Sequence, residues 1–332
     1  MQQRPATAAQ QPVRVRFAPN AALPLQLGAA RTALFNWLWA RKRDGVLVLR
    51  VEDCDAERCT DASLHRLLDD LRWLGLDWDE GPGVGGPFGP YQRTLRRVLY
   101  RAEAERLLRH GSAYRCFCAP APPGEAGGAE RTLAAPAAPA CRCAQQDPGE
   151  AERRAQTGQA HHVRLRVPAT EDVAWIDLVQ GEMNFPASSL GDAVLMGPDG
   201  APSQEFAAAV DDAKMHISHV LRGIEHLERA PVQLLLYDAF GLPRPEYGHL
   251  PAITGLDGLP LAPGDGAPTV SECRSRGILP QALLNCLALL GWAYDGVHEV
   301  FAPRELVAHF DLRGVRRDTA VFDLGKLLWL NH

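Results

Sequence analysis

Val13 to Phe17 alternates apolar and basic side chains before a Pro/Ala-rich stretch, which predicts a strand running into a loop. Over 28–43, apolar Leu34, Phe35, Leu38 and Trp39 recur at helical spacing and predict a helix. Val46-Leu47-Val48-Leu49-Arg50-Val51 is a short apolar run of the kind found in buried parallel strands. Strand, helix, strand in this order predicts a βαβ unit, the start of a nucleotide-binding α/β fold. A second amphipathic helix is predicted over 60–74 from Ala62, Leu64, Leu67, Leu68 and Leu71, with Thr60 or Asp61 as its N-cap. Residues 81–90 read as a turn-rich loop, and 95–110 as a third helix closed by Gly111 at its C′ position.

The pattern lapses over 119–140, where Ala, Pro, Gly and Glu dominate; this predicts a flexible excursion. Strands are predicted at 162–167 and 174–179 in an inserted subdomain, and at 194–196 before the Pro198-Asp199-Gly200 turn. Residues 217–221 read as a further buried strand, and 231–240, 280–292 and 303–310 as helices. No internal repeat is visible.

Composition adds limits. A chain of 332 residues suffices for one large or two modest domains, and 46% hydrophobic with 23% charged residues is ordinary for a soluble globular protein. The net charge of −5 gives no global case for nucleic-acid binding, so any such face must be a local basic patch. Arg41-Lys42-Arg43, Arg93, Arg96-Arg97 and 313–317 offer such patches; the alternative is solvated helix faces. No apolar run reaches membrane-spanning length, and residues 1–12 read as a disordered tail without a signal-peptide core. A cytoplasmic, monomeric protein is the expectation.

The eight cysteines cluster rather than spread, which suits a metal in a reducing compartment better than a disulfide framework. Cys116-x-Cys118 and Cys141-x-Cys143 offer four thiolates for tetrahedral Zn2+, and four protein ligands close the shell, so its role is structural. The alternative is four free thiols. Cys54, Cys59, Cys273 and Cys286 read as small buried residues, and His161-His162 as a strand entry.

Several stretches together carry a resemblance. Arg14-Val15-Arg16-Phe17-Ala18-Pro19, Gly28-Ala29-Ala30-Arg31-Thr32-Ala33-Leu34-Phe35-Asn36 and Leu49-Arg50-Val51-Glu52-Asp53 are similar to glutamyl-tRNA synthetases. So are Leu74-Gly75-Leu76-Asp77-Trp78, Tyr114-Arg115-Cys116-Phe117-Cys118, Ile217-Ser218-His219-Val220-Leu221-Arg222-Gly223, Leu289-Leu290-Gly291-Trp292 and Phe322-Asp323-Leu324-Gly325-Lys326. The match is collinear from Val13 to Asn331. It implies a class I synthetase: a Rossmann-like, doubly wound α/β catalytic domain in two halves, 13–115 and 191–255. An inserted zinc- and acceptor-binding subdomain over 116–190 and a helical stem-contact region over 256–332 complete it. By the resemblance, the helical anticodon-binding domain is expected to be absent, as in the shorter glutamyl-queuosine tRNA(Asp) synthetases. The partners implied are glutamate or a related amino acid, ATP with Mg2+, and the acceptor stem of a tRNA; no membrane is involved.

The resemblance also assigns roles, and here the chain departs from its pattern. The first ATP motif of the family runs Pro-Ser-Pro-Thr-Gly-x-Leu-His-Ile-Gly. Here Gln26 stands at its His, and Ala21, Ala22 and Leu23 replace Pro-Thr-Gly, while Gly28 remains. Gln donates a hydrogen bond but carries no charge. The second motif, Lys-Leu-Ser-Lys-Arg, aligns with Pro260-Leu261-Ala262-Pro263-Gly264, so its lysines are gone, with Ala262 and Pro263 at the centre. Arg16, Ala18, Glu52 and Arg222 match positions that hold glutamate, an Arg–carboxylate chemistry. Asn20 replaces the pocket Ser, Gln204 the pocket Tyr, Ala208 a polar side chain of some members, and Glu205 adds an anion. Either the substrate has changed or the pocket has drifted. Lys214 is a candidate cation from elsewhere in the chain.

Two main readings remain. One is an enzyme that activates glutamate with ATP and esterifies a tRNA 3′ end, impaired by the loss of both ATP motifs. The other is a synthetase-like pseudoenzyme that binds tRNA, an amino acid or a protein partner. A repurposed ligase with another acceptor is a third.

Overall fold

A computed structural model describes residues 12–53, 58–118, 141–168, 172–261 and 268–332. The predicted tail, apart from Pro12, and the excursion at 119–140 lie outside the described residues, as do Cys54, Ala262 and Pro263. The first half of the chain carries β1 (Arg14–Phe17), α1 (Leu27–Lys42), β2 (Val46–Leu49), α2 (Asp61–Trp73), α3 (Arg97–Arg109), β3 (Ala113–Cys116), α4 (Pro148–Gln156) and β4 (His162–Leu165). There follow β5 (Val173–Asp177), β6 (Gly181–Phe185), β7 (Val194–Met196), α5 (Gln204–Lys214), β8 (His219–Gly223), α6 (Ala230–Phe240) and β9 (Glu246–Leu250). The chain closes through β10 (Ile253–Thr254), α7 (Val270–Ser275), α8 (Pro280–Leu289), α9 (Pro303–His309), β11 (Ala320–Val321) and α10 (Leu324–Asn331). No helix among the described residues is long and apolar enough to cross a membrane.

The chain divides into two compact units. The first comprises the described part of Met1–Tyr91, Ile217–Leu221 and Leu250–His332. Its frame is the predicted βαβ unit: β1 and β2 pair in parallel, Arg14 opposite Val46 through Phe17 opposite Leu49, with α1 as the crossover. Helix α1 buries Leu27, Ala30, Ala33, Leu34, Phe35 and Leu38 and packs on α8 and α9. Helix α2 opens with a reciprocal cap: Thr60 Oγ1 accepts the Ser63 N–H at 3.2 Å and Ser63 Oγ accepts the Thr60 N–H at 3.0 Å. Both orphan donors are thereby satisfied, as in a capping box.

The second unit comprises Gln92–His216 and Arg222–His249. An antiparallel sheet β3-β4-β7 backs a core of Tyr100, Leu107, Leu195, Phe206, Val210 and Leu236. A further sheet pairs β5 antiparallel with β6 and parallel with β9, where Asp177 faces Tyr247. Inside this unit the fully buried Asp211 of α5 accepts from Arg96 Nε at 2.6 Å and from Tyr100 Oη at 2.7 Å.

Some boundaries differ from the sequence pattern. The helix predicted over 280–292 ends at Leu289, because Gly291 adopts φ +98°, which breaks the helical path before Trp292. The strand predicted at 217–221 begins at His219, three residues after the left-handed turn at His216 (φ +54°). Strands β3, β6 and β9 and helices α4, α5, α7 and α10 were not predicted. Arg93 and Arg96 are not surface contacts: Arg96 pairs with Asp211, and Arg93 Nη2 donates to Pro202 O at 2.9 Å. Arg41 is ion-paired with Asp77 and Asp79, and Arg313 with Asp311.

Replacing Asp211 with Asn removes the carboxylate to which the buried Arg96 Nε donates. The expected loss in urea unfolding is about 3–5 kcal/mol, against about 1.5–3 kcal/mol for Tyr100→Phe, which removes one hydrogen bond to the Asp211 carboxylate. Equal losses would contradict this.

Candidate functional site

In the first unit, the loop after β1 lies beside the residues after β2. Glu52 N–H donates to Pro19 O at 3.0 Å, and Ala21 N–H to Glu52 O at 3.3 Å, so Asn20 and Glu52 face each other in a parallel bridge. Arg16 is buried on β1, its Nη1 donating to Leu221 O at 3.3 Å. Glu52 is half-buried with Oε1 3.4 Å from Arg50 Nε, and Ala18 is half-buried in the same loop. Asn20 is exposed, and its Oδ1 accepts the Ala22 N–H at 2.9 Å. That closes a local Asx turn, so this side chain shapes its own loop. Cys59 is half-buried rather than buried; its Sγ lies 3.9 Å from Glu52 O and 4.0 Å from Asn20 Oδ1.

The same loop ends at the N-terminus of α1. Gln26 is the N-cap residue with extended backbone (ψ 159°), and its side chain makes no cap hydrogen bond. The first turn holds no acidic residue, and a Cβ at Gly28 would meet nothing within 4 Å. Packing does not demand glycine there; the open space suits a ligand approaching the first-turn N–H groups, where an anion is favoured. The chain at Thr269 and Val270 returns to this point. Gln26 forms an antiparallel bridge with Thr269, and Val270 N–H donates to Leu25 O at 2.9 Å. A capping box of Thr269 and Glu272 starts α7 directly afterwards. Main-chain bonds thus join the end of the first altered segment to Thr269 and Val270 at the start of α7. Ala262 and Pro263 themselves lie outside the described residues.

In the second unit, Arg222 is buried and every one of its nitrogens donates inward. Nε bonds His249 Nε2 at 3.0 Å, Nη1 bonds Gln233 Oε1 at 2.9 Å, and Nη2 bonds His226 O at 3.0 Å. The guanidinium also lies over the Tyr247 ring, 5.2 Å from its centroid. Behind His249 stands Asp177, 2.5 Å from His249 Nδ1 and wholly buried. Asp177 Oδ1 accepts three backbone N–H groups, from Val179, Gln180 and His249. Burial pushes this carboxyl up, but the His249 ring and those N–H groups outweigh it and hold it below the usual carboxylate range. Sequence reasoning singled out Arg222 and missed Asp177, Gln233 and His249.

Helix α5 carries the other candidates of this unit. Ser203 caps it, accepting the Phe206 N–H at 3.3 Å. Gln204 is exposed and its Oε1 accepts from Arg229 Nη1 at 2.7 Å; Ala208 is half-buried on the same helix. Arg229 also pairs with Glu205 at 3.3 Å, which offsets the added anion. Lys214, at the other end, pairs with Glu103 at 2.6 Å, so its charge is already matched within this unit.

Cys116, Cys118, Cys141 and Cys143 come together as the spacing predicted, with all four sulfurs within 4.8 Å of one another. Neighbouring sulfurs are 3.4, 3.4 and 3.7 Å apart. These are far too long for disulfides. They approach the edge of about 3.8 Å that four sulfurs make around a tetrahedral ion at about 2.3 Å. Burial first, then hydrogen bonds shared with Cys118 and Cys116, pushes the Cys141 thiol up to about 12. Burial also opposes the Cys116 thiolate, but the Cys118 N–H, Cys141 and the Arg164 guanidinium overcome it and lower its pKa. The donor set fits a thiophilic dication.

A nucleotide-binding α/β frame with an anion-ready helix start, a buried arginine and a four-sulfur cluster defines a class. The chain belongs to the class I tRNA synthetases for glutamate and glutamine: the model of that family's catalytic domain matches residues 12–329. It is 46% identical over 319 residues to the glutamate–tRNA ligase of Anaeromyxobacter dehalogenans, and 45% identical to that of Anaeromyxobacter sp. strain K. Each match covers 96% of this chain and 66% of the relative, so the chain spans just under two thirds of their length. A glutamate–tRNA ligase from Elizabethkingia meningosepticum, solved in complex with its amino acid, superposes with a TM-score of 0.84 at 30% identity. That match covers 97% of this chain and 69% of the solved one.

Proposed function

We propose that this chain is a glutamyl-tRNA synthetase catalytic body that binds glutamate, activates it slowly with ATP and Mg2+, and offers the product to the 3′ end of a tRNA. The observation that carries the reading is Arg222: a buried guanidinium with its orientation fixed by three internal acceptors suits a carboxylate ligand. Arg16 and Glu52, in the first unit, stand at positions where the resemblance to the family places glutamate-binding residues. The relatives are glutamate–tRNA ligases, which supports glutamate and tRNA as the substrates.

The ATP side is weaker. The start of α1 supplies N–H dipoles for phosphate, and the open space at Gly28 leaves room for it. Gln26 donates without charge, and the stretch Pro260-Leu261-Ala262-Pro263-Gly264 supplies no cation. Loss of one electrostatic donor slows chemistry by about 10²–10³. Two losses in one site combine without simple additivity. On this reading adenylation is slow rather than redirected: the start of α1 keeps its N–H dipoles, and the charged side chains of both motifs are missing from the sequence.

Zinc is the ion we assign to Cys116, Cys118, Cys141 and Cys143. With four thiolates it has no open position for chemistry, so it braces the segment around β3. Elemental analysis of the purified protein is expected to give about one zinc per chain. Cys118→Ser with Cys143→Ser is expected to lose the metal and unfold at lower temperature. Zinc retained by the double variant would contradict the assignment.

The functional reading is tested by glutamate-dependent ATP–pyrophosphate exchange, with and without total tRNA. The comparison is a repaired chain carrying Gln26→His, Pro260→Lys, Ala262→Ser, Pro263→Lys and Gly264→Arg. Slow exchange in the native chain and a gain of at least about 10²-fold on repair is the expected result. No exchange in either chain would overturn it and favour a binding protein without adenylation.

A further inference from the structure

Arginine keeps its charge at any accessible pH, so in the Arg222–His249 pair the arginine must be the donor and His249 Nε2 the acceptor. The proton of the neutral imidazole then sits on Nδ1, facing Asp177 Oδ2 at 2.5 Å. Asp177 is tied in turn by the backbone N–H groups of Val179, Gln180 and His249, and Gln180 Nε2 donates to His249 O at 2.8 Å. The imidazole stacks on Tyr247 with ring centroids 5.9 Å apart and planes 7° from parallel. Every atom that sets the ring's plane and tautomer is buried.

We infer that Asp177 and His249 are positioning residues for amino-acid recognition: Asp177 fixes the Nδ1–H tautomer of His249, and the Nε2 lone pair so presented holds Arg222 in the orientation that receives a substrate carboxylate. This rests on the reading of Arg222 given above. Neither residue touches the ligand. The role follows from the order of the chain, carboxylate to imidazole to guanidinium, in which each member has one hydrogen-bonding polarity that satisfies the next. Reversing the tautomer would set an imidazole N–H against the arginine Nε–H, and two donors would face each other in a buried site.

Asp177→Asn makes that reversal with no change of shape. The amide oxygen can still accept the three backbone N–H groups, while its NH2 faces His249 Nδ1 and drives the ring proton to Nε2. The imidazole 15N shifts of His249 in the folded protein report the tautomer directly. We expect Nδ1–H in the native chain and Nε2–H in Asp177→Asn. Glutamate affinity, measured by titration calorimetry, is expected to fall about 10- to 100-fold. His249→Phe, which keeps the stack on Tyr247, is expected to weaken glutamate to a similar extent. Adding Asp177→Asn to it should cost nothing more, because the carboxylate acts through the ring. It also serves if Asp177→Asn does not fold. Additive losses, or native affinity in His249→Phe, would overturn the inference. Arg222→Gln separates the two ideas. If it abolishes glutamate binding while the Asp177 and His249 variants bind normally, the relay is wrong and the reading of Arg222 stands. If Arg222→Gln binds like the native chain, or if the native chain binds no glutamate, the reading itself fails and takes the inference with it.

Discussion

A guanidinium cannot give up its charge, so each one taken out of water must find acceptors, and this chain buries several. Arg16, Arg31, Arg93, Arg96 and Arg222 are each less than a tenth exposed. Their acceptors are mostly far away in sequence. Arg31 reaches Pro251 O at 2.6 Å, Arg16 reaches Leu221 O, Arg93 reaches Pro202 O and Arg96 reaches Asp211. An unpaired buried charge costs several kcal/mol, so these bonds decide which distant segments lie together. In the first unit they hold the segments around Leu221 and Pro251 against β1 and α1. In the second they join the start of α3 to α5 and link β8 to α6 and β9. The candidate residues stand on elements pinned in this way.

The βαβ unit was legible because two strong periodicities follow one another within 13–51. The four cysteines were legible for a similar reason: two Cys-x-Cys pairs leave few ways to satisfy four thiols. Helix α5 was missed although Ser203 and the spacing of Phe206, Ala207, Ala209 and Val210 announce it, because Pro202-Ser203-Gln204-Glu205 at its start reads as a turn or binding segment. The Asp177–His249–Arg222 chain could not be read at all. Its members lie 72 and 27 residues apart, and each alone is an ordinary polar residue in an apolar strand. Only the fold supplies the pairing. The basic residues at 93 and 96 looked like surface charge for the same reason, since their acceptors on the far side of the unit are invisible to a local pattern.

The two sides of the candidate chemistry rest on different kinds of bond. Carboxylate recognition at Arg222 depends on side chains, and those side chains form a closed buried network. On the proposed reading the anion site at the start of α1 depends on main chain: the pairing of Gln26 with Thr269 and the helix N-terminus behind it. On the proposed reading the chain departs from the family's motifs at Gln26 and over 260–264, where that chemistry uses charged side chains, so ATP handling is the side expected to weaken and amino-acid recognition the side expected to be touched less.

The central claim is this separation of amino-acid handling from ATP handling, and calorimetric titration of glutamate and ATP, each into the native and the repaired chain, tests it most directly. The account predicts that glutamate binds both chains with affinities within about threefold, while ATP binds the repaired chain at least about tenfold more tightly. ATP bound equally well by both chains, or glutamate bound only after repair, would contradict it.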